Sequence, residues 1–72
     1  MRSKTEIFSI FGQIDGVVAQ MMVDEGKASK IDQDMIPPTA LFDGEGRKAQ
    51  FAIVLPTSRL GEYERRVRDL RA

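Results

Sequence analysis

The chain predicts a small α+β domain, and three observations point to it. Apolar residues recur at helical spacing in the first third. A Gly-rich turn stands between two short apolar runs in the middle. A Pro-punctuated amphipathic segment closes the chain. The expected order is α-β-β-α, within a single domain spanning 1–72.

The first element rests on the stripe Ile7, Ile10, Phe11, Ile14, Val17, Val18, Met21, Met22, whose steps of three and one follow one face of a helix. Phe8 alone among the large apolar residues of this stretch falls off that rhythm. Ser3 and Glu6 have capping-box spacing, and Gly26 followed by Lys27 suits a helix end. The stripe therefore predicts a long helix over about 3–26. Gly12 and Gly16, four apart, would let a second backbone approach that helix closely. A competing reading ends the helix at Ile14 and makes Val17–Val23 a strand, because Val17, Val18 and Val23 are β-branched.

Pro37-Pro38 marks an extended break. Ala40-Leu41-Phe42, Asp43-Gly44-Glu45-Gly46 and Gln50–Leu55 then read as a β-hairpin over about 39–55. Phe51, Ile53 and Leu55 alternate with Ala52 and Val54, so both faces of that strand are apolar and both should meet protein. Pro56 ends the strand. Thr57 or Ser58 opens a helix over about 57–71 with Leu60, Tyr63, Val67 and Leu70 inward.

Composition removes several kinds of chemistry. Cysteine and histidine are both absent, so disulfides, thiolate metal sites and imidazole bases are excluded. The acids Asp32, Asp34, Asp43 and Glu45 do not complete a calcium-loop pattern, and Gly44–Lys48 is not a phosphate loop. No spacing supplies a base for the serine and threonine hydroxyls. The expectation is a protein with no catalytic residues, no metal and no cofactor. Asp15, inside the apolar arc, is the one carboxylate that invites a special role; a salt bridge is the plainer reading. Ser9, Gly12, Asp15 and Gly16 interrupt the N-terminal apolar stretch, which argues against a signal or membrane anchor. A cytoplasmic protein without a membrane role is expected.

Lys and Arg number 11, equal to Asp and Glu, so no net charge drives the chain onto a polyanion. Arg59, Arg65, Arg66, Arg68 and Arg71 nevertheless gather on the last helix, a candidate contact for phosphates or nucleic acid. Glu62, Glu64 and Asp69 interleave with them and oppose that reading. The run Phe51–Val67, with its strand ending in Leu-Pro before a helix, resembles the opening of ribbon-helix-helix repressors. That resemblance implies a DNA-reading strand, yet Ala52 and Val54 stand where its polar readers would be.

A chain of this size buries only about 60% of its unfolded surface, and without disulfides or metal it is expected to self-associate. The expected homodimer joint comprises Ile7, Phe11, Ile14, Val18, Met21 and Met22, with Gly12 and Gly16 beside them. The expected function is a small regulatory, adaptor or inhibitor protein. It would bind an unidentified protein partner; the alternative is a DNA- or RNA-binding regulator using the last helix.

Overall fold

The computed structural model describes residues 4–72 and shows an α+β fold with a three-stranded antiparallel sheet. Its first element is a strand, not a helix. β1 (Thr5–Ile10) is followed by α1 (Gln13–Asp24), β2 (Ser29–Asp32), the single turn α2 (Pro38–Leu41), β3 (Phe51–Pro56) and α3 (Leu60–Arg71). Short 3-10 turns at Gln33–Met35 and Thr57–Arg59 precede α2 and α3. The sheet order is β1-β3-β2, so β3 lies between β1 and β2 and runs antiparallel to both. β1, α1 and β2 thus form a split β-α-β unit with β3 inserted in its gap.

The predicted helix over 3–26 is therefore corrected to a strand and a shorter helix. Thr5-Glu6-Ile7-Phe8-Ser9-Ile10 is rich in β-branched and aromatic side chains, which suit a pleated surface. Its pairing with β3 outweighs the helical spacing. Phe8, the residue off the stripe, packs on the core with Ile10 on the helix side of the sheet. Gly12 stands at the N-cap of α1 with extended φ/ψ and no capping side chain. The expected Ser3 cap lies outside the described residues. Val17–Val23 is helical, and the helix closes through Gly26, whose φ of +76° takes the left-handed conformation that glycine adopts without a Cβ penalty.

The predicted hairpin is also corrected. Its turn forms: Asp43 Oδ1 accepts the backbone N–H groups of Glu45 at 2.8 Å and Arg47 at 2.9 Å, and Gly46 has φ +79°. Its ladder does not. Beyond the isolated bridge Phe42–Lys48, β3 turns away and pairs with β1 and β2. The reason is β3 itself, apolar on both faces and therefore suited to a central strand. Toward the helices, Ile53 and Leu55 join Ile10, Val18, Ala19, Met22 and Tyr63 in the main core. On the other face Ala52 packs with Ile36 and Ala49, under a cover that includes Phe11, Ile31, Ala40 and Leu41. The segment 33–50 is thus a lid over part of the second sheet face, held by the Ser9 hydroxyl donating to the Ala40 carbonyl and by Gln33 Nε2 donating to the Ala49 carbonyl at 2.7 Å.

α3 lies across α1 and the sheet through Tyr63 and Val67, and Tyr63 stacks on Phe8 with ring centroids 5.8 Å apart. Leu70, expected inward, is 51% exposed because the helix runs past the end of the core.

Candidate functional surface

The residues expected at a single joint fall into three places. Val18 and Met22 are fully buried in the core of their own chain, and Phe11 is half-buried against the lid. These three already have cover. Ile7, by contrast, is 53% exposed on β1. Ile14 and Met21 lie on the outward side of α1 with Val17 between them; Val17 is 54% and Met21 43% exposed. The glycines make no tight crossing. A Cβ on Gly12 would come no closer than 4.0 Å to Asp15, and one on Gly16 would meet Gln50 at 3.4 Å and Ile10 at 3.7 Å, all within the same chain.

Ile14, Val17 and Met21 continue onto α3 through Leu70. Two shallow hollows mark this seam: one of about 350 Å³ lined by Gln13, Ile14, Val17 and Leu70, and one of about 220 Å³ lined by Val18, Met21 and Leu70 with Arg66 and Asp69 at its side. Helical periodicity located this surface, because positions 14, 17 and 21 share one face. Leu70, expected inward, lies instead on this seam beside Met21 and is half-exposed.

A charged cluster borders the seam. Arg66 donates to both oxygens of Glu25, at 3.0 and 2.8 Å, and to Glu62 at 2.6 Å. Lys27 donates to Glu62 at 2.8 Å and lies 3.3 Å from Glu25, while Arg59 lies 3.5 Å from Glu62. These pairs tie the C-terminal end of α1 to the first turns of α3. The Arg66 guanidinium, aided by Lys27, pulls the Glu25 carboxyl down to about 2 against the opposing effect of burial. Glu62 is lowered as well, chiefly by its hydrogen bond from Lys27, and Lys27 is raised chiefly by Glu62.

The arginine face expected on α3 is therefore largely neutralised. Arg66 and Arg59 are held by carboxylates, and Arg71 lies 3.4 Å from Asp15. Arg65 and Arg68 are exposed, with no ion pair among the described residues. Asp15 itself sits in the first turn of α1, where a negative charge meets the positive end of the helix dipole. Its ion pair with Arg71 is the salt bridge that the plainer reading expected. Ala52 is buried and β3 is paired on both sides, so the strand in the ribbon-helix-helix position cannot lie open to DNA.

Tyr63 is 8% exposed, and burial, reinforced by the Asp15 carboxylate, pushes its phenol up to about 12. It is the chain's one tyrosine and there is no tryptophan, which makes its titration directly readable. The 295 nm phenolate absorbance of the folded protein should rise near pH 12, against about 10 in urea. Stability should be unaffected by this group below pH 10 and fall between 10 and 12, because the unfolded chain loses the proton first. A native midpoint near 10 would mean that the ring is solvated.

Among the described residues, no three or more acidic side chains cluster as a metal site, and no helix is long and apolar enough to cross a membrane. Comparisons with protein-family models, with curated proteins and with solved structures returned no match.

Proposed function

We propose that the chain is a small non-enzymatic regulatory or adaptor protein of the cytoplasm, which works as a homodimer and binds another protein through the α1–α3 seam. The observation that carries this reading is the seam itself. Val17, Met21 and Leu70 are each exposed by 43% or more and stand together with Ile14 on two adjoining helices. Contiguous exposed apolar surface on a small domain marks contact sites, and methionine adapts well to a partner's shape.

Val17→Asp with Met21→Asp tests the seam, since both side chains are half-exposed and neither is needed to close the core. Cross-linking in extracts of the native source should recover a protein partner with the wild type and lose it with the double variant. Unchanged far-UV circular dichroism would show that the variant remains folded. Recovery of the same partner by both proteins would refute the seam.

The second reading, a nucleic-acid-binding regulator, draws on Arg65 and Arg68, exposed and without an ion pair among the described residues. Phosphate contacts by these side chains would give a duplex affinity that falls steeply with salt. Neutralisation of the other three arginines favours the protein-binding reading.

A further inference from the structure

The sheet has two outer edges, and they are built differently. The Lys4 carbonyl accepts from Thr57 N–H at 2.9 Å and the Ile10 carbonyl from Gln50 N–H at 2.8 Å, so the even-numbered residues of β1 direct their backbone groups inward. Backbone groups alternate along a strand. The N–H and C=O groups of Thr5, Ile7 and Ser9 therefore point away from β3, along an edge with no strand beside it among the described residues. Pro56 agrees with this register: it stands opposite Thr5, where it has no N–H to give toward β1 and none is needed.

The same alternation on β3 turns Ala52 and Val54 toward β2, where they face Ile31 and Ser29. Lys30 and Asp32 are left to direct their backbones outward. That edge is short and carries a charged side chain at each outward position, the usual protection against further pairing. The β1 edge has none of these guards. Its outward positions are Thr, Ile and Ser, it contains no proline or lysine, and Ile7 at its centre is 53% exposed.

We propose that the partner of this edge is a second copy of the chain, with two β1 strands pairing antiparallel about a two-fold axis at Ile7. The inference rests on the homodimer reading above and gives that dimer its geometry. Outward groups must meet outward groups, which puts the axis on a residue, and only an axis at Glu6, Ile7 or Phe8 pairs two or more outward residues of each strand. An axis at Ile7 sets Ile7 opposite Ile7 of the second copy and Thr5 opposite its Ser9. It alone engages all three outward residues of each strand, with about six hydrogen bonds across the joint. An axis at Glu6 would place like carboxylates directly opposite, which is unfavourable. An axis at Phe8 would leave Thr5 without an outward partner inside the strand. The Ile7-centred pairing covers the exposed Ile7 side chains with each other and leaves the α1–α3 seam free.

The test uses Ile7→Pro, which removes an outward N–H and no β1–β3 hydrogen bond, with sedimentation equilibrium across about 1–100 µM. The wild type should sediment at twice 8.1 kDa. Ile7→Pro should sediment at 8.1 kDa with unchanged circular dichroism, and Val17→Asp/Met21→Asp should remain dimeric. In wild-type amide exchange, Thr5, Ile7 and Ser9 should gain protection at least tenfold as the dimer fills. A monomeric wild type would overturn the homodimer reading and this inference with it. A dimer that survives Ile7→Pro, or whose Thr5, Ile7 and Ser9 amides exchange freely, would overturn the edge pairing and leave the homodimer standing. If Ile7→Pro fails to fold, the wild-type exchange pattern alone decides.

Discussion

Ile53→Ala is expected to cost about 2–5 kcal/mol of stability, read as a fall in the urea midpoint at unchanged slope. Ile53 is fully buried in the central strand, between Phe8 on β1 and Lys30 on β2, and its side chain enters the core beneath Val18, Met22 and Tyr63. Truncation removes three methyl or methylene groups and leaves a hollow. The sheet cannot close over it, because β3 is fixed by ladders on both sides. A domain of this length has a total stability of roughly 4–11 kcal/mol, so this one change consumes a large part of it. Val17→Ala provides the contrast. That side chain is half-exposed on α1, and alanine is the better helix former, so the change should stay within about 0.5 kcal/mol. Equal losses at the two positions would contradict the burial pattern.

Ile53 and Val17 also show how far the sequence can be read. The alternation Phe51-Ala52-Ile53-Val54-Leu55 announced a strand with two apolar faces, and the structure places protein on both. What alternation could not say was which strands would flank it. The turn at Asp43–Gly46 pointed to Ala40–Phe42, which are close in sequence, whereas the ladder is made with β1, more than 40 residues earlier. The N-terminal misreading has a similar cause. In Ile7-Phe8-Ser9-Ile10-Phe11 the apolar residues serve two sheet faces and mimic a broad helical arc; Phe8 alone falls off that arc, and it packs, partly buried, against the core. Within α1 the helical period was legible, but not its inward side. Val18 and Met22 are one step from Val17 and Met21, and only the packed sheet decides which pair is buried. The arginines were legible as a group. Their neutralisation was not, because Glu25 pairs with Arg66 across 41 positions.

Below pH 4.5 the protein should lose stability progressively, because of the carboxylates that hold those cations. Glu25 lies at about 2 in the folded protein against 4.5 for an unperturbed glutamate, and Glu62 and Asp43 are lowered in the same direction. A depressed carboxylate stabilises the fold above its unfolded pKa. As pH falls from 4.5 toward 2 the unfolded chain takes up protons before the folded one, so the equilibrium shifts toward unfolding. Protonation of Glu25 and Glu62 leaves Arg66, Lys27 and Arg59 crowded at the α1–α3 junction without their counter-charges. The urea midpoint should therefore be flat from pH 7 to 5 and then fall toward pH 2. Glu25→Gln with Glu62→Gln should be less stable at neutral pH and show a shallower fall, since two of the titrating groups are gone. That variant also bears on function: with its carboxylate partners neutral, Arg66 joins Arg65 and Arg68 as a free cation. Duplex binding gained by the variant and absent from the wild type would identify those two glutamates as what keeps this helix off nucleic acid.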